Sequence, residues 1–219
     1  KRDRDKTNLP VAIDATCSGL QILAGLARDK RTAELVNVTR SKMPQDAYKV
    51  IAMRSRGQIP PRIRPKWDRK KVKRTVMTIP YNAKPYSNRT YIQDALREDG
   101  IEIETVTPLD EDGNPIRDSE LTQTVKAVRD AMNEEFPGPM SVMKWIEDEV
   151  SKALARGVTE LQWTTPSGFI VNQKLMKKNI QRLTLQLLGE CRLHVATSDT
   201  DEADKARNKA ATAPNLIHS

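Results

Sequence analysis

Asp14, Arg69, Lys73 and Tyr81 are the residues of this chain whose types and spacing could do chemistry. Asp14 ends the apolar run Leu9-Pro10-Val11-Ala12-Ile13 and is followed by Ala15, Thr16, Cys17, Ser18 and Gly19, all small or polar. The run reads as a buried strand. A carboxylate at its mouth is costly to bury unless it is paired or binds a metal, and the small residues leave space for a substrate beside it. Taken alone, Asp14 fits a cap at a strand-to-helix turn better. Arg69, Lys73, Met77 and Tyr81 recur every four residues, which lines them along one face of a helix. Two cations followed by an aromatic ring suit a nucleoside triphosphate, the cations on the phosphates and the ring near base and sugar. An exposed basic face ending in a tyrosine explains the same spacing equally well.

A second stretch, Ile180 to Val195, alternates strictly. Leu183, Leu185 and Leu187 interleave with Arg182, Thr184 and Gln186; beyond a Leu188-Gly189 turn, Leu193 and Val195 interleave with Arg192 and His194. This pattern predicts a hairpin with one apolar and one polar face. A two-stranded ribbon fits the major groove, and its polar face offers partners for base edges; an ordinary half-solvated hairpin gives the same pattern.

The elements that must position these residues come from 219 residues, enough for one large domain or two small ones. Hydrophobic content of 37% and 4% aromatics predict an aliphatic, Met-filled core. No apolar run approaches a membrane span and no signal-peptide pattern opens the chain. The first residue is Lys1, so a piece of a longer protein is expected. Cys17 and Cys191 lack the spacing of a metal site or disulfide framework and read as reduced thiols of an intracellular protein. Residues 54–74 hold ten bases against the single acid Asp68, so the net charge of +8 is concentrated there. Such a patch favours a polyanion, nucleic acid or nucleotide phosphate, unless it is a solvated linker around Pro60-Pro61.

Periodicity predicts helices over residues 20–30, 44–54, from near Trp67 to Ile79, over 86–97, from Leu121 to a stop at Phe136-Pro137, and from Met140 to Leu154 closed by Gly157. Residues 57–65, with three prolines, read as a loop. The acidic stretch 98–120 suggests a small hairpin through Ile101, Ile103 and Val106, and 161–173 a hairpin about Pro166-Ser167-Gly168. The fold class is α+β, mainly helical, with β-hairpins.

Three stretches resemble the phage-type single-subunit RNA polymerases, a family that includes mitochondrial enzymes. Leu9 to Gln21, continuing to Arg28-Asp29 and Gln45-Asp46-Ala47-Tyr48, is similar to motif A. Arg69 to Tyr81, with its R-x3-K-x7-Y spacing, is similar to motif B. Gln162 to Phe169, then Arg182 to Leu193 and Ala213 to Ser219, resemble the promoter-reading hairpin and the segment after it. The resemblance implies a palm-and-fingers fragment of a right-hand polymerase, with a palm segment over 1–56, fingers over 57–160 and palm-associated hairpins over 161–219.

It also implies roles. Asp14 would be one of two aspartates holding catalytic Mg²⁺. Arg69 and Lys73 would bind the incoming triphosphate, with Lys73 catalytic alongside Asp14. Tyr81 would sit by the ribose, with Gly19, Tyr48 and His218 nearby. Arg182, Thr184, Arg192 and His194 would read promoter bases. The implied partners are DNA template, RNA transcript and ribonucleoside triphosphates, for a monomer in the cytoplasm of an infected host cell, ahead of a mitochondrial matrix. The chain departs from the family in having Asn82 where glycine usually follows the tyrosine, in Pro80, which would disturb the helix there, and in a short stretch between Tyr48 and Arg69. The second metal-holding aspartate belongs to an apolar-His-Asp-Ser segment that these residues do not include, so alone they are expected not to polymerise. The expected activity is template-directed RNA synthesis. Its rivals are a related DNA polymerase, disfavoured by the small residues Ala15 to Gly19, and a degenerate nucleic-acid-binding module, which has no need of the Asp14, Arg69, Lys73 and Tyr81 set.

Overall fold

The computed structural model describes residues 9–10, 16–186 and 189–219. The strand expected to end at Asp14, Asp14 itself as proposed metal ligand, and the Leu187-Leu188 tip of the long hairpin lie outside the described residues. The order of elements is α1 (Ser18–Ala27), α2 (Lys30–Leu35), α3 (Ala47–Ser55), α4 (Arg69–Thr78), α5 (Pro85–Arg97), α6 (Glu120–Glu135), α7 (Pro137–Ala155), β1 (Leu161–Thr164), β2 (Ile170–Gln173), β3 (Met176–Gln186), β4 (Glu190–Ala203) and α8 (Lys205–His218).

Side-chain caps set several helix starts. Asp29 accepts from the Thr32 amide, Asp46 from Lys49, Asp68 from Lys70 and Lys71, Ser119 from Thr122, and Asp204 from Arg207. Each satisfies an amide the first helical turn leaves without a partner. α7 opens three residues before the expected Met140, because Pro137 and Pro139 fall in its first turn, where no amide donor is needed.

Two cores hold the helices. One joins Leu20, Tyr48, Ile51, Val72, Val76, Ile92, Leu121, Val128 and Phe136, across α1, α3, α4, α5 and α6. The other joins Leu23 of α1 to Met143, Ile146, Val150 and Leu154 of α7 and to Ala213 and Ile217 of α8. α1 therefore feeds both. Gly138 makes the α1–α7 corner possible: a Cβ there would meet the Asp29 side chain at 2.7 Å.

β1 and β2 pair antiparallel with Leu161 opposite Gln173, as expected. β3 and β4 form the long hairpin, with Arg182 opposite His194, Leu183 opposite Leu193 and Thr184 opposite Arg192. Its register shifts between Met176 and Ile180.

Two expectations fail. Residues 98–120 form no strand; Leu109 and Pro115 make an isolated bridge. Ile101 and Ile103 pack against the first core instead. The backbone finds its partners in arginines, since Arg62 donates to the Glu102 carbonyl (2.8 Å) and Arg89 to that of Thr105 (2.8 Å). α8 was not expected at all, because Pro214 sits inside it. A proline cannot donate to the carbonyl four residues back; here that carbonyl, Ala210, accepts from Asn82 Nδ2 at 3.0 Å. Among the described residues no helix is long and apolar enough to cross a membrane.

Candidate active site

α4 turns Lys71, Val72, Thr75 and Val76 into the protein. The opposite face, carrying Arg69, Lys73 and Met77, is left to solvent and leads to Tyr81, which is 53% exposed. Lys73 and Tyr81 are eight residues apart, about 12 Å along a helix axis, so cation and ring form one open edge.

α4 ends at Thr78. A 3₁₀ turn, Ile79–Tyr81, takes Pro80, and Asn82 closes it in the left-handed region at φ 62°. This accounts for both departures from the family pattern. The proline occupies a turn that does not need its amide, and Asn82 stands where glycine is the easiest choice. Asn82 gains from its side chain: Nδ2 reaches Glu147 Oε1 (2.8 Å) as well as Ala210 O, and Oδ1 accepts from Lys84 Nζ (2.6 Å).

α8 brings His218 onto Tyr81. The rings stack with centroids 4.4 Å apart and planes 2° from parallel. Gly19 completes the group, since a Cβ on it would meet Pro80 Cβ at 2.8 Å and His218 Nε2 at 3.3 Å. Tyr81, His218 and Gly19, which the sequence separates by up to 199 positions, are thus packed together as implied by the resemblance. Cavities flank the stack on both sides. One of ≈ 120 Å³ lies against Cys17, Gly19, Met77 and Tyr81, and one of ≈ 340 Å³ against Tyr81, Trp163, Asn215 and His218. The sequence singled out neither Trp163 nor Gln173 as a site residue. Trp163 Nε1 donates to Ser219 Oγ (2.9 Å). Buried Gln173 accepts from Asn215 Nδ2 (2.8 Å) and donates to Thr212 Oγ1 (2.8 Å), tying β2 to the end of α8 that carries His218.

Arg69 and Tyr48 lie on a separate cavity of ≈ 280 Å³, together with Thr16, Cys17 and Asp46. Arg69 Nε donates to Asp46 Oδ2 at 2.6 Å, and its guanidinium lies 5.0 Å from the centre of the Tyr48 ring. Tyr48 is buried below it, 6% exposed, and shares a hydrogen bond with the Cys17 thiol. Burial, then the Cys17 and Asp46 charges, push the Tyr48 phenol up to about 12; burial likewise raises the Cys17 thiol. Tyr48 therefore supports Arg69 rather than facing solvent beside Tyr81. Among the described residues Lys73 has no ion-pair partner.

The basic patch is largely neutralised by acids distant in sequence. Arg54 pairs with Glu134 and Glu135, Arg62 with Glu120, Lys70 with Glu98 and Asp99, and buried Lys71 with Asp99. Arg74 lies over the Tyr91 ring at 4.3 Å. The charge count of residues 54–74 overstated the positive surface.

On the long hairpin, Arg182, Thr184, Arg192 and His194 share one face, as two cross-strand pairs. The other face is apolar and bare, with Leu183 46% and Leu193 40% exposed.

A mainly helical α+β chain with a cationic helix face ending in stacked rings, and with a long free hairpin, belongs to the polymerase class. The comparisons make the assignment specific. A family model described as DNA-dependent RNA polymerase matches residues 3–219. The chain is 31% identical to DNA-directed RNA polymerase 2A of Nicotiana tabacum over 97% of its own length and 65% of that protein. It is 31% identical to DNA-directed RNA polymerase 2, chloroplastic/mitochondrial, of Nicotiana sylvestris (97% and 21%), and 30% identical to DNA-directed RNA polymerase 1, mitochondrial, of Arabidopsis thaliana (97% and 22%). The chain belongs to the DNA-dependent RNA polymerase family, the single-subunit phage type its motifs resemble. It spans less than two thirds of the length of these relatives.

Proposed function

We propose that the protein carrying this chain is a DNA-dependent RNA polymerase, transferring ribonucleotides from triphosphates to an RNA 3′ end on a DNA template. The observation that carries this reading is the single edge formed by Lys73, Tyr81 and His218, with Gly19 packed beneath it. The triphosphate lies along α4. Lys73, exposed and unpaired among the described residues, and Arg69, once released from Asp46, take its phosphates and offset the charge that grows there. The Tyr81–His218 stack borders the sugar, and the absence of a side chain at Gly19 leaves room for a 2′-hydroxyl. Arg182, Thr184, Arg192 and His194 read the promoter from one ribbon face.

Membership of the family implies a divalent cation. Among the described residues no group of three His, Cys, Asp or Glu could hold one, so no step is routed through the ion. The proposed ligand is Asp14, and the ion is Mg²⁺, which when bound supplies an activated 3′-hydroxyl and a stabilised leaving pyrophosphate. The proposed division is palm over 1–56, fingers over 57–160 and palm-associated hairpins over 161–219, in a monomer. The relatives' chloroplastic and mitochondrial names favour an organelle over the host-cell cytoplasm that the sequence reading placed first.

The test is nucleotide incorporation by the full-length protein on a primed DNA template. Lys73→Ala and Asp14→Ala should each lower kcat steeply, and ribonucleotides should be preferred to deoxynucleotides. Full incorporation by either variant, or a preference for deoxynucleotides, would overturn the assignment.

A further inference from the structure

The proposed reaction leaves one sizeable cavity unused. It lies beyond the exit of the 3₁₀ turn, between Asn82–Lys84 and the facing sides of α6 and α7, with a volume of ≈ 440 Å³. Arg129 forms part of its lining and is half-buried. One of its terminal nitrogens donates to Ala83 O (3.1 Å) and Asn88 Oδ1 (2.8 Å). Among the described residues no carboxylate pairs with it, and burial alone pushes its pKa down. A guanidinium has five donors, so Arg129 keeps donors to spare toward the cavity.

The charge balance of the lining points the same way. Lys84 and Lys144 are exposed at its rim. Glu147 is its one acid, and Asn82 Nδ2 (2.8 Å), Lys84 Nζ (3.6 Å) and Lys209 Nζ (3.9 Å) already engage it. Arg129 and Lys144 are left as uncompensated cations, one of them partly desolvated. A cation held out of water without a counter-ion is costly, and an anion with several acceptor oxygens would offset that cost bidentately. The remaining wall is apolar, from Ile79, Pro137, Met140 and Met143. A free phosphate has no use for that wall, whereas a nucleotide unit of a strand can lay its base and sugar against it while its phosphate meets the cations.

We propose that this cavity binds a phosphodiester of a single nucleic-acid strand, with Arg129 and Lys144 on the phosphate and the Met140–Met143 wall against the nucleotide. It goes beyond the nucleotide edge on α4. Strand binding needs no catalysis, so it can be tested apart from the polymerase reading.

The test uses the full-length protein and a fluorescent oligothymidylate, followed by anisotropy over a range of salt. Lys144→Gln should weaken binding several-fold at low salt and make the plot of log affinity against log salt shallower by about 0.7. Lys152→Gln, two turns further along α7, controls for general loss of charge. Arg129→Met should act in the same direction more strongly; because Arg129 also holds Ala83 and Asn88, its melting curve is taken alongside, and Lys144→Gln carries the test if the variant unfolds. Equal affinities and slopes for Lys144→Gln and Lys152→Gln would overturn the proposal. So would a Lys144-dependent effect on inorganic phosphate binding with none on the oligonucleotide, which would mark a free-anion site. Lys144-dependent strand binding by a protein that incorporates no nucleotide would sink the polymerase reading and keep this one.

Discussion

Asp46 competes with the substrate for Arg69. Its carboxylate holds Arg69 Nε at 2.6 Å, on the helix face where the triphosphate is proposed to lie. Both side chains are more than a third exposed (47% and 37%), so the pair is worth about 0.2–1 kcal/mol, the range for solvated ion pairs. Breaking it is a cost that triphosphate binding must meet. Asp46→Asn removes the charge yet keeps a good helix cap, since asparagine can still accept from the Lys49 amide. The variant should bind a non-hydrolysable ribonucleoside triphosphate more tightly, by roughly 1.4- to 5-fold. The gain should shrink at high salt, which screens the wild-type pair. The assay is a direct titration of the full-length protein at two salt concentrations, with Arg69→Gln in both backgrounds. Without Arg69 the substitution at 46 should have little effect. Weaker binding in Asp46→Asn would refute the reasoning: it would mean that Asp46 aims the guanidinium at the phosphates instead of withholding it.

Three further outcomes follow from the packing. Asn82→Gly relaxes a left-handed residue but leaves the Ala210 carbonyl without its donor; with about 1–3 kcal/mol for an orphaned buried acceptor, a net loss of thermal stability is expected, and a rise in Tm would show the Asn82 contact to be dispensable. Gly19→Ala should lower both Tm and ribonucleotide incorporation. Its Cβ would stand 2.8 Å from Pro80 Cβ, and overpacking of about 1–3 kcal/mol outweighs the helix gain of about 1 kcal/mol; unchanged incorporation would count against the Gly19 role. Lys71, then Lys70, hold the Asp99 carboxyl below the usual carboxylate range. Its contribution is therefore present above the unfolded value near 3.9 and lost as pH falls through the depressed one. Lys71→Met should flatten the acid limb of the urea midpoint plotted against pH, and an unaltered limb would remove Asp99 as its source.

What could be read from the sequence was local. The period of Leu121, Val125, Val128 and Met132 gives α6, and strict alternation gives the register of the long hairpin. The four-residue spacing of Arg69, Lys73 and Met77 gives the open face of α4. What could not be read depended on partners far along the chain. Ile101 and Ile103 alternate like a strand, but Arg62 and Arg89 take the backbone that a neighbouring strand would have taken. α8 hides behind Pro214 because its missing donor comes from Asn82, 128 positions away. The basic patch looked free because Glu120, Glu134 and Glu135 lie 58 to 81 positions from the arginines they neutralise. The Tyr81–His218 stack was legible only through family resemblance, since no local pattern links a ring on one helix exit to a ring at the end of another.

Leu23 has a consequence for how the chain is made. It is fully buried, yet what buries it is the second core: Met143 and Ile146 of α7, and Ala213 and Ile217 of α8. A ribosome releases α1 first and α8 last. At about 5–20 residues per second, the stretch from Leu23 to Ile217 takes on the order of 10–40 s to emerge. Throughout that interval one side of α1 stays uncovered even if the first core has closed. Its apolar stripe is then a target for trigger-type holding chaperones, and a nascent chain stalled before Ala213 should stay bound to one.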